Sequence, residues 1–240
     1  MELPGAAALI TGGSRGLGAA LGRELARRGA RVVLAARGGD ELREVVDSIR
    51  TAGAEAHGLA ADVGDEKEIY PLVGAAAALV GPIDIVVHNA STLGALPLRE
   101  LMETASADLA RVLEVNLLGP FRLTRAVAGS MVLRGRGLVL GISSDAGVVG
   151  YPTWGAYGVS KAALDHLLRT WGAELADTGV RFLSIDPGEM DTRMHAEADP
   201  AADRSKLASP EEVATWIADV IASDSWPSGA RLEAGVRKSA

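Results

Sequence analysis

Tyr157 and Lys161 stand four residues apart in a segment with helical spacing, so both side chains emerge on one face. A free phenol, with a pKa of about 10, is a poor acid–base group at neutral pH. An ammonium close by favours the phenolate and brings the group toward the working range. Just upstream, Ile142-Ser143-Ser144 closes a strand-like run, the place where parallel-sheet enzymes put their chemistry. A second chemical signal lies at the start of the chain, where Thr11-Gly12-Gly13-Ser14-Arg15-Gly16-Leu17-Gly18 ends one strand pattern and opens a helical one. Glycine fits such a turn because the chain must reverse tightly and a pyrophosphate must approach bare backbone at a helix N-terminus. A third glycine lets helix and strand pack closely. The turn therefore reads as a dinucleotide site.

The end of the second strand decides which dinucleotide. An NAD site wants a carboxylate there for the adenosine ribose hydroxyls. Here the strand ends Ala35-Ala36-Arg37. The missing acid removes repulsion against a 2′-phosphate, and Arg37 can hold that phosphate by charge-assisted hydrogen bonds. Arg15 is a second cation on the same side. Either arginine alone could be a solvated surface charge; together they favour NADP(H) over NAD(H).

The elements that must position these residues alternate. Strand-like runs fall at residues 7–11, 31–36, 54–60, 83–88, 137–142 and 181–185, with a short candidate at 228–234. Between them lie helical patterns at residues 17–28, 40–52, 66–79, a long one at 100–133, and 154–177. A last helix at 210–222 is opened by Ser209 and Pro210. Such alternation predicts βαβ units: an α/β fold with a doubly wound parallel sheet, in a single domain over residues 1–240. Residues 193–209 are polar, rich in Ala, Asp and Pro, and predict a long loop or lid. Composition narrows the partners. Twenty-four Lys and Arg against 31 Asp and Glu give a net charge of −7, with no basic run, which argues against nucleic acid and anionic membranes. The absence of cysteine rules out a disulfide scaffold and a thiolate site, and four scattered histidines leave little for a metal. The longest apolar stretch, residues 72–87, is interrupted by Gly74, Gly81-Pro82 and Asp84 and is too short to span a bilayer. With no basic n-region at the start, a cytoplasmic protein is expected.

Taken together, these motifs resemble the classical short-chain dehydrogenase/reductase family over roughly residues 7–192. The residues that carry the resemblance are the glycine turn, Asp62-Val63, Asn89-Ala90, Asn116, Ser144, Tyr157 thirteen residues later, Lys161, and Pro187-Gly188 followed by Thr192. The resemblance implies a Rossmann-type fold and a carbonyl/alcohol oxidoreductase. In it Tyr157 passes the proton, Ser144 hydrogen-bonds the reacting oxygen, and Lys161 binds the nicotinamide ribose and lowers the Tyr157 pKa. Asn116 would hold a water that relays protons from Lys161. Gly12, Ser14, Arg15, Gly16, Leu17 and Gly18 would cradle the pyrophosphate, with Arg37 at the 2′-phosphate. Asp62 and Val63 would meet the adenine, Asn89 and Ala90 would lie beneath the adenosine ribose, and Thr192 would meet the carboxamide. For Asp62 a helix cap is the competing or additional reading.

Departures from the family pattern leave choices open. His88 and Ser91 flank Asn89-Ala90 where the family usually shows Asn and Gly. His88 reads as a packed histidine and Ser91 as a neighbour of the ribose. Glu189, Arg193 and His195 are either substrate contacts or solvated lid residues, and Trp154 either walls the substrate site or packs its helix. The terminal Gly-Gly pair that helps build family tetramers is missing, so a homodimer is expected, with a tetramer still possible. Substrate and physiological direction are not legible. The alternative from another class is a non-catalytic NADP(H)-binding sensor, against which the full set of Asn116, Ser144, Tyr157 and Lys161 argues.

Overall fold

Strands in a sheet covered on both faces must be largely apolar, and the central strands of this protein are. The computed structural model describes residues 1–235; the tail 236–240, read from sequence as polar, lies outside the described residues. Seven strands form one parallel sheet: β1 (Ala7–Thr11), β2 (Arg31–Ala36), β3 (Ala56–Ala60), β4 (Ile85–His88), β5 (Gly137–Ile142), β6 (Val180–Asp186) and β7 (Ala230–Glu233). Their order is β3-β2-β1-β4-β5-β6-β7. The order reverses between β1 and β4, and the crevice beyond the C-terminal ends of those strands is where such sheets bind ligands.

Alternate strand residues feed two core layers. Ala8, Ile10, Val32 and Leu34 pack on one face against α1 (Gly16–Arg27), α2 (Asp40–Thr51) and the helix at Pro210–Ser223. Ala7, Leu9, Val33 and Val139 pack on the other against α3 (Glu66–Val80) and the helices that follow β4 and β5. That last C-terminal helix carries a complete capping box between Ser209 and Glu212.

The long helix expected at residues 100–133 is broken. A 3₁₀ turn at Leu101–Glu103 precedes α4 (Ser106–Leu113), a π-helical turn spans Glu114–Leu118, and α5 runs Gly119–Arg134. The burial pattern explains the π turn. Val112, Asn116, Pro120, Thr124 and Ala128 are all buried, and so are Val115, Gly119, Leu123 and Val127, each row at a spacing of four. A regular helix turns about 100° per residue, so a row spaced by four drifts some 40° per step. The extra residue of a π turn takes up that drift and keeps both rows facing the sheet. Pro120 contributes as well: it has no N–H to direct at the carbonyl of Asn116, four residues back. Helix α6 (Gly155–Glu174) ends earlier than the pattern at residues 154–177 suggested, with its last part in a 3₁₀ turn.

Residues 193–209 are not one loop. Thr192 caps a short helix α7 (Arg193–Ala198) by accepting from the amide of His195, a 3₁₀ turn follows at Arg204–Lys206, and Met190 bridges Ala208. The signal was present in the sequence: a threonine cap followed by Met194 and Ala198, one helical turn apart, both packed on the cleft. The helix at Pro210–Ser223 is therefore α8.

His88 is a packed histidine. Fully buried at the end of β4, it pairs through Nε2 with the Thr124 hydroxyl on α5 at 2.8 Å. Burial drives its pKa down to about 3. Its folded value lies below the unfolded one of about 6.5, so the stabilisation is whole above neutrality and is lost as pH falls between the two. Wild type is expected to lose about 2 kcal/mol more than His88→Gln between pH 7 and pH 5. Urea titrations at the two pH values measure this, and equal losses in the two proteins would refute it.

Candidate active site

The glycine turn is built by contact rather than by composition alone. Gly12 and Gly16 sit at positive φ, 67° and 53°. At Gly18 a Cβ would lie 2.2 Å from the Gly12 carbonyl oxygen and 2.4 Å from Asn89 Nδ2, so only glycine lets α1 start against the turn. Asn89 Nδ2 donates to the carbonyls of Thr11 (2.9 Å) and Gly12 (3.1 Å) and so ties the end of β4 to the end of β1. The Thr11 hydroxyl accepts from the amides of Asn89 and Ala90. Among the described residues no side chain caps the first turn of α1, whose N-cap position is Arg15, and no acid lies in that turn. Uncapped amides, a positive helix end and a cradle that a Cβ would fill fit a pyrophosphate. Thr192 stands across this opening, since a Cβ on Gly16 would meet its side chain at 3.5 Å.

Arg37 is exposed at the end of β2, and no carboxylate of the described residues comes within ion-pair distance of it. Arg15 is only loosely paired, 3.9 Å from Glu41. Asp62 is not a helix cap: Asp65 caps α3 by accepting from Lys67. Asp62 instead accepts from the Gly64 amide (2.8 Å) and from Arg111 Nη2 (2.7 Å). Although burial opposes it, those hydrogen bonds hold the Asp62 carboxyl below its ordinary pKa. Val63 is pressed close to α5, because a Cβ on Gly119 would come 2.6 Å from the Val63 carbonyl.

The catalytic candidates converge at the ends of β4, β5 and α6. Tyr157 is 8% exposed and Lys161 2%. Lys161 Nζ donates to the Ile142 carbonyl at 2.7 Å and stands 5.4 Å from the centroid of the Tyr157 ring. Burial pushes the ammonium down to about 8, against the pull of Asp165. The expectation that Lys161 lowers the Tyr157 pKa needs correction. Burial raises the phenol well above its ordinary value, and Asp186 and Asp145 add to the rise, while the hydroxyls of Ser144 and Ser91 oppose it. The Tyr157 side chain is therefore a protonated phenol facing two serines.

Ser144 Oγ donates to Asp145 Oδ1 at 3.0 Å and accepts from the Ala146 amide at 3.2 Å. Ser143 is buried and donates to Asp165 Oδ2 at 2.8 Å, which removes it from the cleft. Ser91, read from sequence as a neighbour of the ribose, faces the phenol; its Oγ is buried and has no hydrogen-bond partner. Asn116 is nearly saturated. Its Oδ1 accepts from the Thr92 amide, and its Nδ2 donates to the Thr92 carbonyl and to Ser160 Oγ, each at 2.9 Å. Three of its four side-chain hydrogen-bonding positions are thus used in binding the loop after β4 to α6. Ser160, Asp165 and Arg231 are site residues that sequence reading missed, because none belongs to a motif with its own spacing.

The walls around Tyr157 are apolar. Leu93 and Ala146 pack on it, with Leu98, Trp154, Met194 and Ala198 outside them. Trp154 meets the Tyr157 ring edge-on at 5.7 Å, which makes it a cleft wall as well as a helix start. Glu189 and Arg193 point to the solvated reading, and His195 does not. Glu189 is 80% exposed, and Arg193 pairs with Glu197 on the exposed surface of α7. His195 is mostly buried, its side chain 16% exposed and 3.8 Å from Glu189, with Nδ1 unpartnered.

Comparison with known proteins agrees with this geometry. The short chain dehydrogenase family model matches residues 6–203. The cis-4-hydroxycyclohexanecarboxylate dehydrogenase of Sinomonas cyclohexanicum is 36% identical over 227 residues, covering 90% of this chain and 89% of that protein. A variant actinorhodin polyketide ketoreductase crystallised with NADPH matches with a TM-score of 0.87 and 32% identity over 95% of both chains. NAD⁺-bound xylitol dehydrogenase matches with a TM-score of 0.87 and 26% identity over 100% of both. The sheet order, the uncapped glycine turn and these likenesses lead to one family: the chain belongs to the short chain dehydrogenases, oxidoreductases that interconvert carbonyl and alcohol with a nicotinamide cofactor.

Proposed function

We propose that this chain reduces small ketones with apolar flanks, using NADPH in preference to NADH. The observation that carries the reading is the buried Tyr157 phenol, flanked by Ser144 and backed by Lys161, at the mouth of an apolar cleft. The cofactor, when bound, supplies the hydride. Gly12, Ser14, Arg15, Gly16, Leu17 and Gly18 would hold its pyrophosphate, and Arg37 the 2′-phosphate. Asp62, Val63, Asn89 and Ala90 would border the adenosine, and Pro187, Gly188 and Thr192 the nicotinamide end.

Tyr157 donates its proton to the carbonyl oxygen, and the Ser144 hydroxyl hydrogen-bonds the same oxygen as charge builds on it. The protonated phenol can fill the donor's role in reduction. Lys161, desolvated and readily deprotonated, is suited to replacing that proton. With its side chain engaged, Asn116 can meet a relay water best through its carbonyl, for which Pro120 supplies no donor. Leu93, Leu98, Trp154 and Met194 would exclude bulk water from the transfer.

Two measurements test the reading. With 2-tetralone, cyclohexanone and ethyl acetoacetate offered in turn, at least one should consume NADPH. Tyr157→Phe should then lose about 10³-fold in kcat, with the NADPH dissociation constant within threefold of wild type. Turnover by the Phe variant at the wild-type rate, or no consumption with any of the three ketones, overturns the assignment and reopens the sensor reading. For the cofactor, Arg37→Asp should weaken NADPH binding by about 10- to 100-fold and leave NADH binding equal or tighter, read by fluorescence titration. NADPH affinity untouched by this change would place the 2′-phosphate elsewhere.

A further inference from the structure

Arg231 lies on the edge strand β7, where the sequence shows only a short strand candidate, yet it reaches into the catalytic end of the sheet. Its side chain is 14% exposed and makes four contacts. Nη2 donates to the Ser144 carbonyl at 3.1 Å and to Asp186 Oδ2 at 2.8 Å. Nε donates to Asp165 Oδ2 at 3.1 Å, and Nη1 to Glu233 Oε1 at 2.6 Å. One guanidinium thus joins the turn after β5, the last residue of β6, the interior face of α6 and its own strand. The same Asp165 oxygen takes the hydroxyl of Ser143, the residue before Ser144. Asp186 in turn accepts from the amide of Gly188 through its other oxygen, which shapes the turn after β6.

Asp165 and Asp186 are buried, 7% and 6% exposed, on either side of the Ser144 backbone. A buried carboxylate left without its cation costs several kcal/mol and moves the chain around it until water reaches it. Arg231 is the cation both share. We infer that Arg231 is a positioning residue for the reaction: by bonding the Ser144 carbonyl and neutralising Asp165 and Asp186, it fixes the Ser144 hydroxyl against Tyr157. It touches neither substrate nor cofactor in this role and acts only through Ser144. Planarity matters here, because a fork of donors reaches acceptors on three elements at once, whereas an ammonium is a single point. A displacement of about 1 Å in a catalytic group is enough to cost on the order of 10² in rate. The inference rests on the carbonyl-reduction reading above, in which Ser144 hydrogen-bonds the reacting oxygen.

A double-mutant cycle separates positioning from mere anchoring of β7. With NADPH and the ketone of the panel above that turns over fastest, Arg231→Leu is expected to lower kcat at least 30-fold. KM for the ketone should change less than threefold, as should NADPH affinity by titration. In the Ser144→Ala background the same change should lower kcat less than threefold, because the group it positions is already gone. Arg231→Lys should recover thermal stability but only part of kcat. Equal losses in both backgrounds, or an unchanged kcat in Arg231→Leu, would overturn the inference. If Arg231→Leu does not fold, the cycle run with Arg231→Lys decides by the same criterion. Wild-type rates in Ser144→Ala and Tyr157→Phe themselves would instead bring down the underlying reading, an outcome distinct from failure of the Arg231 term alone.

Discussion

Helix α6 can stand over the catalytic edge of the sheet only because backbone touches backbone there. A Cβ on Gly158 would come 2.6 Å from the Ala146 carbonyl, and one on Gly147 would come 3.0 Å from the Ala162 amide. With these two positions bare, the turn after β5 lies directly on α6, and Ser144 and Tyr157, on different elements, come to face each other. The ammonium of Lys161 completes the joint from below by taking the last carbonyl of β5. Everything else in the cleft is arranged around that seam: Trp154 closes it on one side, Met194 and Ala198 of α7 on another, and Leu93 on a third.

The electrostatics of the seam follow from its dryness. A lysine held at about 8, a phenol held protonated and a histidine held neutral are all consequences of burial, and none needs a special partner to explain its direction. The acidic side of the balance is carried by Asp186 and Asp145, which disfavour phenolate, and by Asp165 beneath Lys161. That a chain of net charge −7 concentrates carboxylates beside the Tyr157 phenol makes the compensating guanidinium of Arg231 more consequential than its place on an edge strand suggests.

Much of this was legible in the sequence. The strands at 7–11, 31–36 and 137–142 coincide with the observed ones because continuous apolar runs bounded by turn residues have few other solutions. Tyr157 and Lys161 could be placed on one face because both lie inside one unbroken helix. What escaped depended on contacts between distant elements. That Ser91 turns to the phenol could not be read from sequence, since the loop after β4 is held by Asn116. Arg231 has no motif of its own, being defined by four acceptors scattered over ninety residues of chain. The α7 helix was easy to pass over because it is only six residues long, and Arg193, Ala196 and Glu197 among them are exposed. The lowered phenol pKa inferred from a nearby lysine failed for a related reason: charge proximity can be read from spacing, but burial cannot.

The π turn at Glu114–Leu118 also bears on how this chain tolerates change in length. It holds, in effect, one residue more than a regular helix would need to cover the same rise, and the two rows of buried positions on either side are phased by it. Winding these same residues as an unbroken α-helix would rotate α5 by about 100° relative to α4. Leu123, Val127 and Met131, all fully or nearly fully buried against the sheet, would swing toward solvent, and charged Arg125 and Arg122 would be carried around the axis with them. The segment is thus strict in number where it is permissive in composition: its reading frame, more than the identity of its individual side chains, keeps Asn116 beneath the cleft and the core closed behind it.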